Sequence, residues 1–118
     1  MGQAATLIRG ADDYYASSAV EASAVASADP AYLYSALIYN NNASTRYFQL
    51  FDSATVPADS TVPILTVAVP AGSTGAFDFG DAGIPFFSGI AVCNSSTDVT
   101  KTVGAADSLF YVAFRKTH

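Results

Sequence analysis

The sequence predicts an all-β protein: an antiparallel β-sandwich or jelly roll of about seven to eight strands, with an N-terminal arm. Three features of the 118-residue chain indicate this fold. Apolar and polar residues alternate with a period of two in several segments, as in half-buried strands. Turn-forming residues interrupt these segments at short intervals. No stretch shows the apolar spacing of an amphipathic helix.

The first two predicted strands lie in residues 20–27 and 32–39. The alanines of the first would also suit a helix, but its period of two and the closing Asp29-Pro30 pair favour a strand. The second reads Tyr-Leu-Tyr-Ser-Ala-Leu-Ile-Tyr and is apolar or aromatic at nearly every position. Such a strand is typical of the centre of a sheet that is covered on both faces.

A β-hairpin is predicted next, formed by residues 32–39 and the third strand, residues 45–51. Between them lies the turn cluster Asn40-Asn41-Asn42-Ala43-Ser44, and asparagine tolerates left-handed backbone and bonds its own main chain. Two strands joined by a turn of this length usually pair with each other. Residues 52–63 hold Pro57 and Pro63 and are predicted to form a long loop.

Four further strands are predicted in residues 64–69, 76–79, 86–93 and 109–115, separated by turns that contain Gly, Pro or Asp. The apolar positions that alternate in these strands face one side of the predicted sheets and should form the core. The predicted core residues are Phe48, Leu50, Leu65, Val67, Phe77, Ile90, Val92, Phe110 and Val112.

The chain is long enough for one domain, which we place at residues 18–118. Residues 1–17 stand apart as an N-terminal arm because they lack alternation, with a short strand possible at residues 5–8. The arm nevertheless carries apolar side chains that a solvated tail would not need. Its candidate docking residues are Leu7, Ile8, Arg9, Tyr14 and Tyr15.

The net charge of −5 and the scarcity of charged residues, 13% of the chain, bear on the choice of partners. Five basic residues form no long run, so the cationic surface that nucleic-acid binding requires is missing. A polar but uncharged surface loses little hydration on contact, which favours protein or sugar partners. No apolar stretch reaches membrane-spanning length, and the N-terminus does not look like a secretion signal.

Catalysis and cofactor binding are not expected. The chain has one histidine, His118, and one cysteine, Cys93, which is too few for a Ser–His or Cys–His site or a zinc site. Cys93 lies in an apolar run and is predicted to be a small buried hydrophobe. Asp78 and Asp81 were weighed as calcium ligands or paired glycosidase carboxylates. They flank a turn that needs polar residues, and a capped turn is the favoured interpretation.

Two weaker signals concern sugars. Asn42 and Asn94 each begin a triplet that fits the N-glycosylation pattern, which is common by chance in a chain rich in Ser and Asn. Tyr14, Tyr15 and Tyr32 could stack on sugar rings, although core or interface packing explains tyrosines equally well.

A resemblance becomes visible from the segment Arg46-Tyr47-Phe48-Gln49-Leu50-Phe51-Asp52 and its continuation to Asp59. It extends through Val-Ala-Val-Pro-Ala-Gly at 67–72, Phe-Asp-Phe-Gly at 77–80, Gly-Ile-Ala-Val-Cys-Asn-Ser-Ser at 89–96 and Thr-Lys-Thr at 100–102. Over residues 30–114 the chain resembles small β-sandwich proteins encoded among the virion structural genes of tailed bacteriophages. These motifs are structural and carry no catalytic residue.

The resemblance implies a non-enzymatic virion protein, most simply a capsid decoration (cement) protein on the capsid exterior. Its expected partners are the major capsid protein and further copies of itself, as a homotrimer, with no nucleic acid, membrane or cofactor. One alternative is a carbohydrate- or receptor-binding module of a phage fibre or tail. Another is a free-standing bacterial adhesin module. Fold does not decide among them.

Overall fold

The computed structural model describes residues 12–117, which form nine β-strands and no helix. Each of the first eight strands is followed by a turn or loop that contains Gly, Pro, Asn, Asp or Ser, the residues expected to break strands. The strands are β1 (Asp13–Ala16), β2 (Ser23–Ser27), β3 (Ala31–Asn40), β4 (Arg46–Asp52), β5 (Leu65–Val69), β6 (Thr74–Asp78), β7 (Ile84–Phe86), β8 (Ile90–Ser95) and β9 (Ser108–Lys116).

The strands form two antiparallel sheets. The first sheet has the order β1-β9-β3-β6, with the short β7 also paired to β3, and the second has the order β2-β8-β4-β5. The pairs β4–β5, β3–β6, β2–β8 and β1–β9 are nested, as in one long hairpin whose tip is the β4–β5 connection. Rolling that hairpin brings β9 against β3 and β8 against β4. This is a jelly roll, and the predicted fold class is confirmed.

The core lies between the inner faces of the two sheets. Phe48 and Phe110 face each other there with ring centroids 5.9 Å apart, and Phe48 also lies 5.6 Å from Phe77. Of the nine predicted core residues, six are at most 1% exposed, whereas Leu65, Val67 and Phe77 are partly buried against the same cluster. The three exceptions lie on β5 and β6, which are edge strands with a neighbour on one side.

The predicted β-hairpin between residues 32–39 and 45–51 is wrong. β3 belongs to the first sheet and β4 to the second, so the connection at residues 41–45 crosses from one sheet to the other. The buried Asn40 side chain stabilises this crossing: its Nδ2 donates to the carbonyl oxygens of Ser44 and Val69, both at 3.0 Å. β3 pairs with β9 and β6 instead, and these long-range partners leave β4 no place beside it.

Two other strand predictions need correction. The predicted strand at residues 86–93 is two strands, β7 and β8, because the chain changes sheet at Phe87–Gly89. Strand β1 lies within the segment assigned to the N-terminal arm, where it pairs with β9 from Asp13↔Phe114 to Ala16↔Tyr111. Residues 13–16 are therefore part of the first sheet. The short strand expected at residues 5–8 lies outside the described residues.

Candidate functional site

The outer face of the second sheet is covered by the loops at residues 53–64 and 96–107. Gln49, on β4, points outward but is fully buried, and its Nε2 donates to the carbonyl oxygens of Thr97 and Asp98 at 3.0 Å and of Thr100 at 3.2 Å. Beside it Phe51, Ala91 and Cys93 form a small second cluster of buried residues. The apolar residues at the centre of this face are thus used in packing, whereas Ala68 on the edge strand β5 is exposed.

The two covering loops are joined by a largely buried cation. Lys101 is 4% exposed, and its Nζ lies 2.8 Å from Oδ1 of Asp59. The backbone of Lys101 also bonds to the other loop, with its carbonyl accepting from Ser60 and its N–H donating to Thr61. The hydrogen bond from Lys101, together with one from the Val103 N–H, lowers the pKa of Asp59 below its usual value.

Within residues 12–117, no loop covers the outer face of the first sheet as the two loops cover the second. Its outward residues follow from the register, because directly paired residues point to the same side of a sheet. Ala16, Tyr111, Leu37 and Ala76 form one row across β1, β9, β3 and β6. The next rows contain Tyr14, Ala113 and Ser35, and Leu109, Tyr39 and Thr74. The charged residues paired into this face, Asp78 and Arg115, lie toward one end.

A shallow groove of about 210 Å³ lies in this face, where β1, β9 and β3 run side by side. Tyr14 and Tyr111 are 74% and 44% exposed there. Among residues 12–117 no charged side chain lines the groove, so it suits an apolar or aromatic side chain. Its lining residues are Tyr14, Tyr15, Ser35, Leu37, Tyr111, Val112 and Ala113.

The structure places two of the five predicted docking residues at this groove. Tyr14 is exposed on the outer face. Tyr15 packs against the core, and its hydroxyl donates to the Glu21 carboxylate, so that burial and this bond raise the Tyr15 pKa above its usual value. Tyr14 is therefore the more available of the two. Leu7, Ile8 and Arg9 lie outside the described residues.

The connection between β7 and β8 presents a further exposed aromatic side chain, away from the groove. Phe87 is 76% exposed. The Asp52 carboxylate, at the end of β4, accepts hydrogen bonds from the backbone N–H groups of Phe87 at 3.0 Å, Ser88 at 2.7 Å and Gly89 at 3.4 Å. The backbone that carries Phe87 is thereby fixed to the second sheet.

The residues considered as candidates for catalysis or metal binding have structural roles. Cys93 is fully buried, and desolvation raises its pKa to about 12, so its thiol stays protonated at neutral pH. Oδ1 of Asp78 accepts from the Gly80 N–H at 3.0 Å, and Gly80 adopts a φ of 72°, which is the geometry of a capped turn. Within residues 12–117 no group of three or more acidic, His or Cys side chains is placed to hold a metal ion.

The two glycosylation triplets differ in accessibility. Asn94 is fully buried on β8, where its Nδ2 donates to the Ala105 carbonyl and the Ser108 hydroxyl, so it is not available as an acceptor. Asn42 is half-buried and donates to the Asp107 carboxylate. No helix of the described segment is long and apolar enough to cross a membrane.

No protein-family model matches this chain, and no curated protein matches it. Among solved structures, the coat protein of Tobacco streak virus is similar with a TM-score of 0.40 and 14% sequence identity, over 89% of this chain and 88% of that one. The assignment of the jelly roll therefore rests on the strand order and register of this structure.

Two features of the site were not recognised in the sequence. The groove was missed because the residues around it come from β1, β3 and β9, which are distant along the chain. Phe87 was assigned to a strand together with Phe86, yet the following Ser88-Gly89 pair was a signal that the strand ends there. The apolar character of residues 32–39 on both faces predicted a strand covered on both sides, whereas its outward residues Leu37 and Tyr39 are only partly buried.

Proposed function

We propose that this chain is a non-enzymatic structural protein of a tailed-phage virion, a capsid decoration protein that stabilises contacts between major capsid subunits from the capsid exterior. The observation that carries the proposal is the partly apolar outer face of the first sheet, whose charged residues Asp78 and Arg115 lie outside the groove. In the part of the chain that the structure describes, no loop covers this face, whereas loops cover the centre of the corresponding face of the second sheet. A protein that acts by burying surface needs such a face, and jelly rolls recur in viral capsid domains.

The energetics of docking favour this face. Leu37, Tyr39, Leu109 and Tyr111 offer apolar and aromatic area without an ion that must lose its hydration. Aromatic residues at the centre of an interface commonly carry much of the binding energy. Repetition of a modest contact over many sites of a shell multiplies the stabilisation of the particle.

The N-terminal arm supplies the second part of the proposed docking surface. Residues 1–12 of the predicted arm precede β1, which begins at Asp13, next to Tyr14 and the groove. Leu7 and Ile8 are its apolar residues, and Arg9 offers a cation to an acidic partner. An arm that orders on docking gives up conformational entropy, which the buried apolar side chains must offset.

Particles of the source phage provide the test. Imaging of intact particles should locate the chain on the head exterior, and particles stripped of it should release DNA at a lower temperature. A variant without residues 2–11 keeps β1 paired with β9, so it should stay folded and yet fail to co-sediment with stripped particles. A location on the tail, or absence from the particle, contradicts the proposed function. Full occupancy by the truncated chain contradicts the role of the arm alone.

A carbohydrate- or receptor-binding module remains the second candidate, because Tyr14 and Tyr111 are exposed on the groove and lectins also use jelly rolls. Among the described residues, the polar side chains of the groove are the two exposed tyrosines, Tyr15, whose hydroxyl is engaged by Glu21, and Ser35. A sugar presents many hydroxyls that need partners, so the capsid role is favoured. The carbohydrate-binding role would be favoured over the capsid role if the intact chain bound glycans on an array but did not bind capsids, and if Tyr111→Ala abolished the glycan binding.

A further inference from the structure

Phe87 combines two properties: its side chain is exposed, and its backbone is held in place. Its side chain is 76% exposed. An exposed side chain on a loop usually loses conformational freedom when it binds a partner, and this loss weakens binding. Here the three backbone N–H groups bonded to Asp52 fix the loop before any partner arrives. An aromatic side chain presented in this way is a preorganised anchor.

Close packing beneath the loop adds to this rigidity. Gly89 is so near the neighbouring backbone that a Cβ added there would lie 2.5 Å from the Ser27 carbonyl oxygen and 2.8 Å from that of Ser53. The backbone N–H of Ser53 also donates to the Gly89 carbonyl at 3.2 Å. The loop therefore cannot turn Phe87 inward without losing contacts to both β2 and the end of β4.

The same chain carries a groove that matches this anchor in size and chemistry. Its volume of about 210 Å³ exceeds the roughly 150 Å³ of a protein cavity that binds benzene. The groove is lined by tyrosine, leucine, valine and alanine side chains with Ser35. Neither side brings an unpaired charge to the contact, since Asp52 is already engaged by the loop, and the desolvation cost is correspondingly small.

We infer that Phe87 of one copy inserts into the first-sheet groove of a second copy, so that the chain associates with itself head to tail. The inference rests on the proposed function and deepens it, because it names the self-association contact of the proposed decoration protein. With the groove filled by a second copy, Tyr39, Leu109 and Ala76 of the same face lie outside the contact and remain for the capsid. Phe87 follows β7, which pairs with the start of β3, whereas the groove lies further along β3 beside β9 and β1. Anchor and groove are thus separate patches, so the contact is heterologous. Such a contact gives a closed ring, for example a trimer, where the rotation between copies closes, and an open filament where it does not.

Sedimentation velocity of the full chain over a wide concentration range tests the contact. Phe87→Ser should weaken self-association about 30-fold or more, the effect expected when an anchoring aromatic is lost. Val99→Ser is the matched control. Val99 is 74% exposed and lies on a loop held by Gln49, and its replacement should leave self-association unchanged. Both positions are exposed, so circular dichroism and melting temperature should match those of the unmodified chain.

A complementation experiment distinguishes the insertion of Phe87 into the groove from non-specific self-association. Ser35→Trp fills the groove and should leave that variant monomeric, like Phe87→Ser. An equimolar mixture should form a 1:1 dimer that grows no further, because the mixture contains one intact Phe87 and one intact groove. The inference is overturned if the unmodified chain is monomeric throughout, if Phe87→Ser assembles normally, or if the mixture stays monomeric. Capsid binding by a monomeric chain would overturn this contact and leave the proposed function standing.

Discussion

The two outer faces of the jelly roll both carry outward-pointing apolar side chains, but they differ in whether loops cover those side chains. On the second sheet, Phe51 and Cys93 point outward, yet loops held by Gln49 and Lys101 bury them. On the first sheet, Tyr14 and Tyr111 point outward and stay exposed. The difference teaches that an outward apolar residue in this fold has meaning only once the loops above it are known. Those of the second sheet pack beneath loops, and those of the first stay exposed among residues 12–117.

The largest loss in the free energy of unfolding is expected for a mutation in the core that both sheets share. Phe48 is fully buried between the sheets and contacts Phe77 and Phe110, so Phe48→Ala should cost about 3–5 kcal/mol in the free energy of unfolding. Urea denaturation measures this cost. Tyr111→Ala, on the open face, should cost less than about 1 kcal/mol. Equal losses at the two positions would mean that the open face is part of the core.

The covered face should respond to the loss of its central amide. Gln49→Leu keeps the side chain's bulk but leaves the carbonyls of Thr97, Asp98 and Thr100 without their donor, which should cost about 1–3 kcal/mol. Amide hydrogen exchange at residues 97–101 should quicken as well. Ser35→Ala on the open face is the control, with an expected change within about 0.5 kcal/mol. If Gln49→Leu lowered the free energy of unfolding no more than the control does, the hydrogen bonds from Gln49 would not be what holds the loop on that face.

The ion pair that joins the two loops predicts a pH dependence. Lys101 and the Val103 N–H lower the pKa of Asp59, so the ionised carboxylate stabilises the fold above its unfolded-state pKa, and this contribution is lost as the pH falls through the lower folded-state pKa. Asp59→Asn should therefore lower the melting temperature at neutral pH, and its difference from the unmodified chain should vanish in strong acid.

The matched control for this pair is Asp29→Asn, which breaks the ion pair between Lys116 and Asp29. Both partners are more than 40% exposed, and such pairs contribute little. Its effect at neutral pH should be smaller than that of Asp59→Asn, whose Lys101 partner is 4% exposed and would be left without its anion. A difference between Asp59→Asn and the unmodified chain that persisted in strong acid would show that another property of Asp59 matters.

Local pattern was enough to predict the fold class but not the pairing of strands. Period-two alternation at residues 45–51 and 109–115 correctly identified β4 and β9 and most of the core. The Asn-rich turn wrongly suggested a hairpin, because the partners of β3 are β6 and β9, which lie far along the chain. Strand β1 was missed because its four residues show no alternation that a short window can detect.

The candidate site was predicted only in part for the same reason. Tyr14 was singled out for being apolar in a segment that lacks core periodicity, and the structure places it on the groove. Leu37 and Tyr111, which form the rest of the surface, belong to regular strands and look like core residues. Whether a strand face is open depends on which loops fold over it, and that is a property of the whole topology rather than of any segment.

The central claim is that the open face of the first sheet is the binding face, and two exposed alanines test it directly. Ala76 on β6 and Ala68 on β5 lie on edge strands, one on each outer face. Co-sedimentation with stripped capsids compares Ala76→Lys with Ala68→Lys, each of which places one charge on one face. The account predicts that Ala76→Lys loses retention while Ala68→Lys binds like the unmodified chain. Retention by Ala76→Lys, or loss by Ala68→Lys alone, would contradict it.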